Sequence, residues 1–331
     1  MLNRIVFPLS CLVIICSTTS CMKEIDGPLD ITLSPYPKVE LNLEQEMDYK
    51  AKIYYSLATK EIIKTSDNYS WHIAFASQAS NPHKVLMNYA LGKSTWGATR
   101  QDTNWARTIT QAELFSETQI YANHYDSFAN LFQRGFYNVY YLNFGSNLVN
   151  KKFQVLSYTA TEVSFRYANL DGSNEITKTI TLNPNTNYTY ISLIDASAVD
   201  VEPIDRLSWD FEVTRYTTYV TDFSQPQMYG VGGFISNPAK NILVAKVENK
   251  NLEDLSDASL TSLPFNNGLT SIGYDWKKFS NGGPDGFYTI LPRSYVIKAD
   301  GKTYGIQFIS YTKTIAGKPI NGYPVFLLRE F

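Results

Sequence analysis

From Thr303 to Ser310 the chain alternates, with Tyr304, Ile306 and Phe308 on one side and Gly305 and Gln307 between them. Successive side chains of a strand point to opposite faces, so this period of two predicts a half-buried β-strand. A second apolar run, Tyr295-Val296-Ile297, ends just before Asp300-Gly301. Gly accepts the positive φ of a type I′ turn, so the dipeptide predicts a tight hairpin joining the two runs. Helical spacing is rarer. Leu114, Phe115, Ile120, Tyr121, Tyr125, Phe128 and Leu131 fall roughly on one helical face and predict a helix over about 110–132. A shorter helix is expected over about 252–260.

The β pattern is written twice. Val39–Leu43, Tyr54–Leu57 and Tyr69–Phe75 have counterparts in Ile180–Asn183, Tyr190–Leu193 and Leu207–Val213. Trp71 and Trp209 are 138 positions apart, and Leu57 and Leu193 are 136 apart. Later blocks pair in the same order: Val139–Leu142 with Tyr295–Ile297, Phe153–Tyr158 with Ile306–Tyr311, and Val163–Tyr167 with Val325–Leu328. Internal repeats are signs of duplicated structural units. The expected fold is therefore all-β, with two related antiparallel β domains in tandem and minor helical insertions. Their expected bounds are 37–172 and 173–331, with the seam at the turn-forming cluster Leu170–Asn174. Each Trp that opens a repeat strand is expected to anchor a core, because an indole buries a large area.

Composition narrows the function classes. Across 331 residues, 29 Lys and Arg nearly balance 31 Asp and Glu. No basic patch stands out, so a nucleic-acid partner is not expected. The 24 tyrosines suit both two-faced sheets and ligand contacts. No His-Glu-x-x-His site, Gly-x-Ser-x-Gly elbow or phosphate loop is present, and no enzyme is expected. Gly230-Val231-Gly232-Gly233 lacks a strand-to-helix context for dinucleotide binding and is read as a turn. Glu202, Asp205 and Asp210 are read as turn or surface residues rather than a catalytic carboxylate pair.

The N-terminus carries an export signal. Arg4 precedes Ile5–Cys16, which is apolar apart from Ser10 and too short to span a bilayer. Ser17–Ser20 and then Cys21 resemble a lipobox, with Thr18 where Leu is usual. The expected organisation is a signal peptide over 1–20 and a lipidated tether over 21–36, with Cys21 bearing the lipid; the alternative is ordinary secretory cleavage near Ser20. Cys11 and Cys16 leave with the signal, so Cys21 becomes the sole thiol and no internal disulfide or Cys-ligated metal is expected. The stretch Met22–Asp26 resembles a surface-export signal and equally suits a solvated tether. An outer-membrane location with exposure at the cell surface is expected, against a periplasm-facing anchor. The membrane is then a partner through the Cys21 lipid.

Several blocks of the second half resemble HmuY-like haem-binding lipoproteins. They are Ser208-Trp209-Asp210-Phe211, Arg215-Tyr216, Tyr229–Phe234, Trp276-Lys277-Lys278-Phe279, Gly283-Pro284-Asp285-Gly286 and Tyr295–Tyr311. The resemblance covers about 176–331 and reaches 37–170 through the repeat. It implies a loop-built pocket that captures haem and passes it towards an outer-membrane receptor. It also implies two axial His or Met ligands. One of those positions is Asn281, and the other falls within 248–267, which holds neither His nor Met.

Haem or a related porphyrin is thus a possible bound ligand rather than a resident cofactor, and no metal ligand is assigned. Aromatic stacking by Tyr274, Trp276 or Tyr288 is the expected mode of holding it, with Met228 and His124 as further candidates. His72, beside a core Trp, is read as structural, and His83 as solvated. The rival readings are a glycan- or protein-binding surface module using the same aromatics and a structural adhesion subunit.

Overall fold

The computed structural model describes residues 34–44, 49–77, 84–91, 97–116, 138–144, 150–220, 227–280 and 287–331. Cys21, His83, His124 and Asn281 lie outside them, as does most of the export signal and tether. Residues 36–331 form one compact unit. Among the described residues no helix is long and apolar enough to cross a membrane.

The chain begins with strands β1 (Lys38–Glu40), β2 (Ala51–Ser56), β3 (Glu61–Asp67), β4 (Ile73–Ala76), β5 (Val85–Met87) and β6 (Gly97–Asp102). Helix α1 (Gln111–Ser116) precedes β7 (Val139–Asn143), β8 (Lys151–Tyr158) and β9 (Glu162–Ala168). Next come β10 (Ile176–Thr181), β11 (Tyr188–Ile191), β12 (Ala198–Val199), β13 (Phe211–Val220), β14 (Gln227–Ser236) and β15 (Leu243–Glu248). Helix α2 (Asp257–Leu260) is followed by β16 (Lys277–Ser280), β17 (Phe287–Ile290), β18 (Arg293–Ala299), β19 (Lys302–Ile315) and β20 (Lys318–Glu330). The described chain is all-β, with antiparallel sheets and only short helices.

The turn signal at Asp300-Gly301 is realised. Both residues have positive φ, 50° and 78°, and they join β18 to β19 with Ala299 opposite Lys302. Ala316-Gly317 makes a second two-residue hairpin at φ 50° and 79° between β19 and β20. Ala is an uncommon residue at positive φ, which is why no turn is legible there.

The helical expectations are trimmed. Only Gln111–Ser116 of the first is seen as helix, opened by a reciprocal cap: Thr110 N–H donates to Glu113 Oε2 (2.6 Å) and Glu113 N–H to Thr110 Oγ1 (3.2 Å). Its remainder from 117 to 132 lies outside the described residues. The second is two pieces, a 3₁₀ turn at Leu252–Asp254 and α2. Leu255 and Ser256 between them are extended, and Ser256 caps a fresh start.

The repeat reappears as topology. One five-stranded sheet runs β1-β20-β19-β18-β15 and another β10-β9-β8-β7-β6. The four-stranded sheets correspond too, as β3-β2-β13-β14 and β12-β11-β4-β5. Even the register shift is duplicated, between Val155 and Ser157 in one unit and between Phe308 and Ser310 in the other. Sheet membership crosses the 172/173 seam. Strands β1–β3 complete sheets of the second half, while β10–β12 complete sheets of the first.

Two cores result. One joins Ile73, Phe75 and Val85 to Tyr140, Phe153, Phe165 and Ile191; the other joins Ile53 and Tyr55 to Phe211, Phe234, Trp276, Ile306 and Phe326. A third cluster, with Trp71, Tyr190, Tyr216 and Ile235, draws on both four-stranded sheets. Trp71 and Trp209 are fully buried, as their place in the repeat predicts. Each meets the exchanged tyrosine edge-on: Trp71 with Tyr190 at 4.9 Å and Trp209 with Tyr54 at 5.0 Å.

The exchanged strands are fastened at equivalent points. Leu57 N–H donates to Asp210 Oδ2 (2.7 Å), and Leu193 N–H donates to His72 Nδ1 (3.2 Å). Burial, reinforced by Lys151, pushes His72 down to about 4, so its imidazole is neutral and able to accept. The ring that departs from the Trp-Asp pattern therefore does the same job as Asp210. Between the strands, Lys52 Nζ and Glu212 Oε1 form a buried ion pair at 2.6 Å.

Candidate functional site

A cavity of about 210 Å³ opens where β14, β16 and β17 converge on the segment before β2. Its walls are Tyr49, Tyr229, Tyr274 and Tyr288, with Phe279, Val220 and the backbone of Gly230–Gly232. Lys277 and Lys278 also line it. Tyr229 and Phe279 are each half exposed and present ring surface to solvent.

The glycine run shapes this wall. Gly230–Gly233 lie inside β14, paired with Thr217, Arg215 and Thr214 of β13 at Gly230, Gly232 and Gly233. The expected turn is thus a strand. Its glycines answer a need for close approach rather than for a bend. A Cβ on Gly232 would come within 2.8 Å of the Tyr311 hydroxyl, and one on Gly233 would meet the backbone carbonyl of Gly273. That closeness lets the bridge between Phe234 and Gly273 form, which seats Tyr274 at the pocket.

Below the wall, aromatic rings are layered. Trp276 is fully buried and stacks on Phe308 at 4.0 Å and 13°. Tyr311 meets Trp276 at 5.4 Å and Tyr288 at 4.9 Å, both edge-on, and its hydroxyl donates to that of Tyr49 (3.1 Å). Burial holds the Tyr288 and Tyr311 phenols well above the ordinary range, with neighbouring phenols adding to it. They are neutral at any physiological pH. Arg215 stands over the Tyr49 ring at 5.6 Å.

Lys277 is the unusual element. It is 5% exposed, yet it lines the cavity. Nζ donates to the carbonyls of Gly232 (2.7 Å) and Tyr274 (3.3 Å). The rings of Trp276 (4.2 Å) and Tyr311 (4.4 Å) cover it. Burial pushes Lys277 down to about 7, an effect partly opposed by Asp275. The Asp275 carboxylate is itself held by Lys246 (2.5 Å) and Arg293 (3.3 Å).

The residues singled out from sequence are partly assembled here. Tyr274 and Tyr288 line the cavity, half-buried. Trp276 does not: its indole is sealed in the core and backs Lys277 instead of facing a ligand. Met228 sits in β14 opposite Tyr219. The segment 248–267, where the resemblance puts an axial ligand, does not line the cavity. Its Leu255 and Leu260 pack on Val296 of β18. No cluster of three or more His, Cys, Asp or Glu fit to hold a metal occurs among the described residues.

Sequence reasoning passed over Tyr49, Tyr229, Lys277 and Phe279. The available signal for two of them was the block Trp276-Lys277-Lys278-Phe279, in which a cation adjoins a core indole.

No family model matches the chain, and no curated protein matches it. Among solved structures, it is similar to a protein from Bacteroides fragilis described as a "putative lipoprotein". Identity is 17%, 56% of this chain and 91% of the other are covered, and the TM-score is 0.18.

Proposed function

We propose that this chain is a lipoprotein that captures a saccharide ring in the tyrosine-lined pocket, without catalysis. The observation that carries this reading is the pair of half-exposed rings, Tyr229 and Phe279, flanking a cavity of about 210 Å³. Flat aromatic surface beside a small cleft suits the apolar face of a sugar, and phenol hydroxyls and backbone carbonyls suit its hydroxyl groups. The volume is below the roughly 300–1,000 Å³ of sites for drug-sized ligands, so one ring rather than a macrocycle enters. The lipobox-like Cys21 supports tethering to the outer membrane.

A second reading is capture of haem for an outer-membrane receptor. It is favoured by the HmuY-like blocks, two of which supply pocket walls: Tyr229–Gly232 from Tyr229–Phe234, and Lys277–Phe279 from Trp276–Phe279. One experiment separates the two. The mature protein is run through gels with immobilised polysaccharides and, in parallel, titrated with haem, oxidised and reduced. The saccharide reading predicts retardation in at least one gel and no Soret shift at micromolar haem. A Soret shift with no retardation in any gel would reverse the assignment.

A further inference from the structure

We propose that the group bound deepest in this pocket is anionic and that Lys277 binds it, so that the saccharide is an acidic one. The inference rests on the capture reading above and narrows it to a ligand class. It stands first on geometry. Lys277 is buried and lines the cavity, and its Nζ sits on the carbonyls of Gly232 and Tyr274, both also lining residues. An ammonium has three N–H donors. Two are directed at the carbonyls of Gly232 and Tyr274, and no described carboxylate forms an ion pair with it. Asp275, the acid that acts on it electrostatically, is committed to Lys246 and Arg293.

Burying a cation without a counter-charge costs folding free energy, and such groups gather at functional sites. A ligand carboxylate supplies what is missing. It would accept the third N–H in a water-poor setting, where charge-assisted hydrogen bonds are strong. The remaining walls agree with that sign. Among the described residues they add Lys278 and contain no Asp or Glu. A neutral sugar would satisfy the donor with a hydroxyl but leave the charge unmatched.

A consequence is proton uptake. Among the described residues, the charged and titratable groups around Lys277 are Asp275, Lys278 and the phenols of Tyr49, Tyr229, Tyr274, Tyr288 and Tyr311, with Arg215 over the Tyr49 ring. Burial leaves much of the amine neutral above about pH 7 in the empty pocket. An anion beside it favours the charged form, so binding at pH 8 takes up a proton.

The test uses the full mature chain and matched polysaccharide pairs, polygalacturonate with galactan and polymannuronate with mannan, titrated calorimetrically at pH 8 in buffers of different ionisation enthalpy. The expected result is at least tenfold tighter binding of an acidic member than of its neutral partner, with net proton uptake. Lys277→Met should abolish both the preference and the uptake. The proton uptake by the unaltered protein is a readout independent of that variant. Equal affinity for acidic and neutral members, or a preference that survives Lys277→Met, would overturn this inference and leave the capture reading standing. Failure of every polysaccharide to bind would overturn both.

Discussion

Replacing Lys52 by Met is expected to destabilise the fold by about 3–5 kcal/mol, because it strands Glu212 as an uncompensated buried charge. Lys52 and Glu212 are almost wholly buried, and the Nζ to Oε1 distance is 2.6 Å. The ammonium also lies over Trp71 (5.3 Å) and Tyr190 (5.6 Å). The pair therefore sits among the residues that fasten the exchanged strands: β2 on β13 and β11 on β4. The double variant Lys52→Met/Glu212→Leu should recover most of the loss, since neither charge then needs desolvation. Equilibrium denaturation of the two singles and the double gives the coupling directly. A Lys52→Met loss within about 0.5 kcal/mol, the range of an ordinary surface change, would show that the pair does not hold this interface.

The second large effect has the opposite sign. Lys277→Met is expected to stabilise the chain near pH 6 by on the order of 2 kcal/mol, after the loss of two hydrogen bonds is set against the relieved desolvation. The pH dependence follows from the lowered amine, about 7 when folded against an ordinary value of 10.5. Between those values the unfolded chain binds a proton that the folded chain does not, so the stability of the unaltered protein rises with pH through that window. Below about pH 7 both states are protonated and the full burial cost applies. The gap between Met variant and parent should accordingly be widest at pH 6 and close towards pH 10. Urea denaturation at pH 6, 8 and 10 checks it, and a gap that does not narrow would mean that Lys277 is not held in a desolvated state. A residue that weakens its own fold in this way is what a binding site built for a missing counter-charge requires.

Much of the fold was legible because strands announce themselves by alternation. The paired blocks around Trp71 and Trp209, Phe153–Tyr158 and Ile306–Tyr311 map onto equivalent strands, down to a duplicated bulge. What alternation does not carry is the partner of each strand. Tyr54 reads as a strand residue, but nothing in its neighbourhood says that it lies opposite Glu212 rather than within its own half. The exchange rests on long-range packing, such as Tyr54 against Trp209 and Leu57 N–H on Asp210.

The site was less legible for a related reason. Tyr274 and Tyr288 are recognisable as aromatic candidates, but burial is a tertiary property. Trp276 resembles them in sequence and is sealed under Phe308, while Lys277 reads as a surface residue and is interior. Tyr49 reaches the pocket from more than 170 residues away, on the segment that leads into an exchanged strand.

The central claim is that the exposed rings beside the cavity make the contact with ligand. It is tested most directly by measuring, for the double variant Tyr229→Ala/Phe279→Ala, the affinity for whichever polysaccharide retains the parent protein, together with the thermal midpoint. Both rings are half exposed, so the account predicts at least a tenfold loss of affinity with a midpoint close to that of the parent. An unchanged affinity in a variant that folds normally would contradict it.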